Sequence, residues 1–282
     1  MLTFLRRVKR SVAFRLRRRT DQIKHFAVAQ LAQENESPVF VVGNQKSGTT
    51  AIATLLAEHA GLSPQLDFGY SAGRRFPDLY DGSLALEDFI REHSLEFSHD
   101  LIKAPSLTFL LPRLRDRFPR SRWVMIVRDP RDNIRSILDR LKMPGDRPTV
   151  DLARYAEVRR GWKNVIWNAG LDLPGGTYIE RLAHRWRYAA TLYQRYAAET
   201  RLVRYEDFCE RKEETITSLA QRLGLPGRND IADKVDEQYQ PRGSNREASW
   251  EEFFGAANLD RIENICREPM EKLAYASCQR RP

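Results

Sequence analysis

Cysteine is scarce in this chain, and long apolar runs are absent from it. The three cysteines, Cys209, Cys266 and Cys278, are odd in number, show no C-x-x-C spacing and have no histidine cluster beside them. That argues against a disulfide framework and against a zinc site, and makes a reducing, cytoplasmic setting the expected one. No apolar run approaches the roughly 20 residues of a membrane-spanning helix. The basic N-terminus lacks the apolar stretch of a secretory signal. Positive charge is also missing where a nucleic-acid binder would need it. Of the net charge of +9, residues 1–30 carry +8, from nine basic residues and Asp21, which leaves +1 for the remaining 252 residues. The body is nearly neutral, so no nucleic-acid partner is expected.

The charge that is present forms an arm. Leu5, Val8, Val12 and Leu16 recur at helical spacing with arginines between them. Such a basic amphipathic helix suits peripheral contact with an anionic membrane surface, a targeting role, or simple packing on the body. The expected division is an arm over residues 1–35 and one domain over 36–282.

Within the body, strand and helix patterns alternate. Val39–Gly43, Asp100–Lys103, Trp123–Val127 and Arg201–Tyr205 read as strands. Helical patterns cover 48–59, 84–93, 106–118, 130–141, 150–166, 176–200, 214–223 and the tail from about Leu259. Alternation of this kind predicts an α/β fold with a parallel sheet and helices on both faces.

The most informative stretch is VFVVGNQKSGTT at residues 39–50, a strand that breaks into a glycine-containing turn and opens a helix. A nucleoside-triphosphate P-loop has the spacing G-x-x-x-x-G-K-[ST]. Gly43 and Gly48 keep the glycine spacing, but Thr49 stands where the lysine belongs, and Lys46 lies inside the loop. The backbone N–H groups of Gly48, Thr49 and Thr50 still open a helix and suit an anion. A second anion site follows strand 123–127. Arg128 sits at the strand's C-terminal edge, Asp129 and Pro130 fit the cap and first turn of a helix, and Ser136 lies two turns on. Alone, the Arg128–Asp129–Arg131–Asp132 cluster reads more readily as a solvated salt-bridge network than as a ligand site. Together, a lysine-bearing loop and an Arg…Ser pair suit a nucleotide phosphorylated at both ends.

At this point the chain resembles the sulfotransferases that use 3′-phosphoadenosine 5′-phosphosulfate (PAPS). KSGTT at Lys46–Thr50 is similar to their 5′-phosphosulfate loop, and RDPRDNIRS at Arg128–Ser136 to their 3′-phosphate motif. KAP at Lys103–Pro105, RYED at Arg204–Asp207 and the tail residues Trp250, Ile265, Cys266, Met270 and Leu273 add to the likeness, which runs from about Val39 to Tyr275. The resemblance implies a three-layer P-loop-like fold with a central parallel sheet flanked by helices. It implies transfer of a sulfuryl group from PAPS, without a metal, to a hydroxyl or amine of a small-molecule or glycan acceptor. Lys46 would stabilise the leaving bridging oxygen. Lys46, Ser47, Gly48, Thr49, Thr50, Arg128 and Ser136 would hold the donor, and Lys103 would support the transferring group or the acceptor.

The general base is less determined. One branch of the family has a histidine two residues after the equivalent lysine, where this chain has Pro105. Another uses a glutamate about twenty residues beyond the loop lysine, and here Asp67 lies 21 beyond Lys46. Asp67 is the first candidate base and His99, just before strand 100–103, the second; a turn-capping carboxylate and a packed histidine are the plainer readings. Many family members stack a tryptophan on adenine directly after the two threonines. Ala51 occupies that position, which leaves Tyr205 or Trp186 to stack, unless they are core. Arg242, in PRG, partly resembles a further 3′-phosphate ligand. Residues 61–98 and 143–176, the latter with Trp162 and Trp167, would supply the acceptor pocket. The alternatives are a P-loop small-molecule kinase, disfavoured by Thr49, and a non-catalytic nucleotide-binding protein.

Overall fold

The computed structural model describes residues 32–151, 160–239, 245 and 247–276. The arm, with the exception of its last four residues, and Arg242 lie outside the described residues. Five strands form one parallel sheet: β1 Val39–Gly43, β2 Pro64–Leu66, β3 Leu101–Lys103, β4 Arg122–Val127 and β5 Thr200–Arg204, in the order β2-β3-β1-β4-β5. β1 is central, with Val41 registered on Lys103 to one side and on Val124 to the other. Four of these strands were expected. β2 is the addition, a three-residue edge strand of sequence PQL with two exposed residues and no apolar alternation to reveal it.

The strands read as apolar because both faces are covered. On one face, Val39, Val41, Val124, Ile126 and Val203 pack against α1 (Thr49–Ala60) through Ile52, Leu55 and Leu56. On the other, Phe40, Val42, Trp123, Met125 and Val127 pack against α2 (Pro130–Leu141), α4 (Tyr178–Arg195) and α7 (Trp250–Lys272) through Ile134, Ile137, Leu182, Trp186 and Ile262. α3 (Arg160–Trp167) lies between α2 and α4 in the chain. α5 (Tyr205–Glu210) and α6 (Lys212–Arg222) follow β5, and Ile216 and Leu219 of α6 join the α1 face. The three-layer expectation is met.

Local chemistry sets several boundaries. α4 starts at Tyr178 because Thr177 and Glu180 form a reciprocal capping box, and α7 starts at Trp250 through Ser249 and Glu252 in the same way. α7 therefore begins about nine residues before the expected Leu259, interrupted once at Gly255, where φ is +65°. The segment 106–118 opens as a 3-10 turn, Pro105–Leu110, before the helix Leu111–Arg117. Of the helix expected over 150–166, Val150 and Asp151 are not helical, Arg160–Trp167 is, and 152–159 lie outside the described residues. Among the described residues, no helix is long and apolar enough to cross a membrane.

Candidate functional site

The sheet delivers two turns side by side. β1 and β4 are neighbours and run parallel, so the loop after Gly43 and the turn after Val127 emerge together at the C-terminal edge of the sheet. The loop is packed from below. Gly43 has φ +149°, and a Cβ there would meet the Ile126 carbonyl oxygen at 2.3 Å. Its N–H donates to Thr108 Oγ1 (2.9 Å), which donates back to the Gly43 carbonyl at 3.0 Å. Lys46 stands in the left-handed region at φ +66°, and Gly48, at φ +87°, is the cap residue of α1.

Asn133, one turn into α2 and fully buried, holds the loop from the second motif. Its Nδ2 donates to the Gln45 carbonyl (2.8 Å) and to Ser47 Oγ (3.0 Å), while its Oδ1 accepts from Asn44 Nδ2 at 2.8 Å. Asn133 lies inside the motif RDPRDNIRS, yet its role was not legible there. Arg128 donates from Nη1 to the Lys46 carbonyl at 3.1 Å, and its guanidinium lies 4.7 Å over the Tyr205 ring. That ring in turn packs against Gly48, where an added Cβ would sit 2.3 Å from Tyr205 Cδ2. Arg128 Nε is buried with no protein partner among the described residues. An orphaned guanidinium N–H beside an anion loop is what an absent anionic ligand would leave behind.

These groups line a cleft of about 930 Å³. Lys46, Gly48, Thr49, Thr50, Arg128, Ser136 and Tyr205 all face it, as do Asp67 and Lys103. Ser47 is buried beneath the loop and does not line it. Asp132, Arg135, Asp139 and Arg140, on the same side of α2 as Ser136, line it as well, and sequence reasoning did not single out the last three. Trp162 joins them from α3. Burial, followed by repulsion from Arg140 and Arg128, holds the Lys46 ammonium below its ordinary pKa.

Asp67 follows β2 directly and is strained, with φ +69°. Its N–H donates to the Lys103 carbonyl at 2.7 Å, and Lys103 Nζ donates to Asp67 Oδ2 at 2.5 Å. Lys103 is buried, 1% exposed, whereas the Asp67 side chain is 53% exposed. The structure thus brings the first candidate base to the cleft. It does not bring His99 there. His99 precedes β3, at the opposite edge of a parallel sheet, and its Nδ1 bonds the Leu95 carbonyl at 2.9 Å. Nor does Trp186 face the cleft. It is 2% exposed in the core, and its Nε1 donates to the Arg128 carbonyl at 2.8 Å.

The second motif is also tied to the end of the chain. Asp129 caps α2 and binds Arg131, whose guanidinium reaches Glu263 Oε1 (2.8 Å) and the Ala276 carbonyl (2.8 Å). Glu206 accepts from the Asp129 N–H at 2.9 Å and from the Tyr275 hydroxyl at 2.8 Å. Among the described residues, no three His, Cys, Asp or Glu side chains gather as a metal site would need.

Residues 36–242 match the family model described as the sulfotransferase domain. The chain belongs to the sulfotransferase domain family. Its reaction is accordingly sulfuryl transfer to an acceptor, and it is an enzyme. The sulfotransferase fold is seen in solved structures of low identity. Mouse sulfotransferase SULT7A1 complexed with PAP is 14% identical, with a TM-score of 0.51 over 87% of this chain and 89% of that one. Sulfotransferase STF9 from Mycobacterium avium is 13% identical, with a TM-score of 0.51 over 90% and 80%. No curated protein matches this sulfotransferase in sequence.

Proposed function

We propose that this sulfotransferase takes PAPS as donor and transfers its sulfuryl group in line to a hydroxyl bound next to Asp67, with an amine as the alternative acceptor. The observation that carries the reading is the gathering of Lys46, Arg128, Ser136 and the Asp67–Lys103 pair on one cleft. The partnerless Arg128 Nε supports a doubly phosphorylated nucleotide there, as does the PAP in the mouse SULT7A1 complex.

The donor supplies the sulfuryl group: the acceptor oxygen bonds to sulfur as the S–O bond to the 5′-phosphate breaks, and the bond's electron pair stays on the phosphate oxygen. Lys46 would stabilise that oxygen, and the Gly48, Thr49 and Thr50 N–H groups would hold the 5′-phosphate. Arg128 and Ser136 would hold the 3′-phosphate, and Tyr205 is the better candidate to line the base because its ring already faces the cleft. Asp67 would accept the acceptor's proton, with Lys103 fixing its carboxylate. Lys46, Lys103 and Arg128 supply the positive charge that a metal would otherwise give. Trp162 suits an acceptor with a ring, either a small molecule or a sugar. We infer one domain from residue 36 to the C-terminus, supported by burial of Ile262, Cys266 and Met270 in the same core. A cytoplasmic setting is supported by the free thiols of Cys209 and Cys266.

The test is transfer of labelled sulfate from PAPS to a panel of phenols, alcohols, amines and sugars in the presence of EDTA. Turnover is expected on at least one acceptor, falling by orders of magnitude in Lys46→Ala. Turnover with ATP and magnesium instead, or a fully active Lys46→Ala, would overturn the reading.

A further inference from the structure

The cleft wall between Lys46 and Lys103 hides another cation. Arg185, on α4, is 2% exposed, and among the described residues it has no carboxylate partner. Its contacts are neutral: Nε donates to Gln45 Oε1 at 3.2 Å, Nη1 reaches Asn168 Oδ1 at 3.4 Å, and the guanidinium lies 4.2 Å over the Phe109 ring. The Tyr80 hydroxyl bonds it as well, and itself donates to the Ser106 carbonyl at 2.8 Å. Gln45 and Ser106 both line the cleft, so Arg185 stands directly behind its wall.

Arginine can only donate hydrogen bonds, so Gln45 must turn its amide oxygen toward Arg185. That fixes the other end of the amide. Gln45 is 9% exposed, and it precedes Lys46 in the loop. Among the described residues its Nε2 has no hydrogen-bond partner in the protein. Gln45 lines the cleft, so a buried amide with unpartnered N–H groups stands in the wall of an anion site. A buried guanidinium without a counter-anion also adds a positive potential that water screens poorly.

We propose that Gln45 Nε2 donates a hydrogen bond to a sulfuryl oxygen of the donor, and that Arg185 is the positioning residue that holds the amide in that orientation. This rests on the PAPS reading above. Gln45 gives up no proton during transfer; its bond to the sulfuryl oxygen spans the step in which the acceptor oxygen replaces the phosphate oxygen on sulfur. The same bond discriminates PAPS from the spent nucleotide PAP, which has no sulfuryl group.

Calorimetric titration of the full chain with PAPS and with PAP tests this. Gln45→Leu is expected to weaken PAPS binding roughly 10- to 100-fold and PAP binding by no more than about twofold, the scale of one hydrogen bond to a charged group. Arg185→Met is expected to lose the same preference for PAPS, and Arg185→Lys, which keeps a charged hydrogen-bond donor on the side chain, to recover part of it. Equal weakening of both nucleotides, or of neither, in Gln45→Leu would overturn the proposal. Should Arg185→Met fail to fold by circular dichroism, Gln45→Leu and Arg185→Lys decide alone. A wild-type protein that binds neither nucleotide would sink the donor reading itself, an outcome separate from failure at Gln45.

Discussion

Lys103 Nζ and Asp67 Oδ2 are 2.5 Å apart, with the lysine buried in β3 and the aspartate half in solvent after β2. The pair joins the edge of the sheet to the open end of the cleft and leaves the second carboxylate oxygen of Asp67 available to an acceptor. If that oxygen takes the acceptor's proton, Asp67→Asn should lower kcat about 10²- to 10⁴-fold. PAP affinity should stay unchanged in calorimetry, because the nucleotide does not need the base. A variant with full kcat would remove Asp67 from the reaction.

The lowered pKa of Lys46 has a kinetic consequence. Its ammonium is disfavoured in the free enzyme by burial and by Arg140 and Arg128, so it loses its proton at a lower pH than an ordinary lysine. On the PAPS reading, donor binding needs the charged form. The pH profile of kcat/KM for PAPS, which reports the free enzyme, should therefore fall on its alkaline side below the usual lysine range. With donor bound, the added negative charge favours the ammonium, so the limb in kcat should move to higher pH. For folding the sign is opposite: in the window between the lowered pKa and the ordinary one, the unfolded chain holds the proton more tightly, so stability gains as pH rises.

Arg128→Ala should weaken PAP by roughly 10- to 100-fold, the loss of a charged hydrogen-bonding partner. Adenosine 5′-monophosphate, which lacks the 3′-phosphate, should lose far less. The ratio of the two affinities, measured by competition, is the readout. A uniform loss would mean that Arg128 acts only through its bond to the Lys46 carbonyl and its stacking on Tyr205.

Gly48 is constrained twice, by φ +87° and by the Tyr205 ring. Gly48→Ala should cost about 1–3 kcal/mol from backbone strain alone and lower the melting temperature by several degrees. Adding Tyr205→Ala should return the steric part and not the backbone part. A double variant no more stable than the single would show that the ring yields freely.

Cys209 is exposed on the cleft and Cys266 is fully buried, with burial pushing the Cys266 thiol well above its ordinary pKa. In a Cys278→Ser background, one thiol should react with a disulfide reagent in the native protein and two after unfolding. PAP should slow the native reaction. Two fast thiols would contradict the burial of Cys266.

Much of this was legible in the sequence, for identifiable reasons. β1, the turn and α1 declare themselves because an apolar strand, two glycines and a helical pattern fall within a dozen residues. Arg128 and Ser136 were legible because Asp129 and Pro130 mark where α2 begins. β2 was not, since its Pro64 and Leu66 are exposed and carry no core pattern. His99 was misjudged as a candidate because nearness to a strand was weighed without its direction; in a parallel sheet the residue before a strand belongs to the far edge. Trp186 sits on the apolar stripe of α4, and its burial follows from that stripe. Arg185 stands one residue before it, and nothing in the local pattern says that so polar a side chain is buried against Gln45, 140 positions earlier.

The bonds from Arg131 to Glu263 and to the Ala276 carbonyl have a consequence for biosynthesis. The turn that carries Arg128 emerges from the ribosome long before its supports do. Until residue 276 is free to fold back, Arg131 lacks two of its acceptors and the start of α2 is incomplete. A nascent chain, or one cut short before Glu263, therefore holds the loop of β1 without a finished partner turn. On the PAPS reading, a chain cut short before Glu263 is therefore expected to bind PAP more weakly than the full chain.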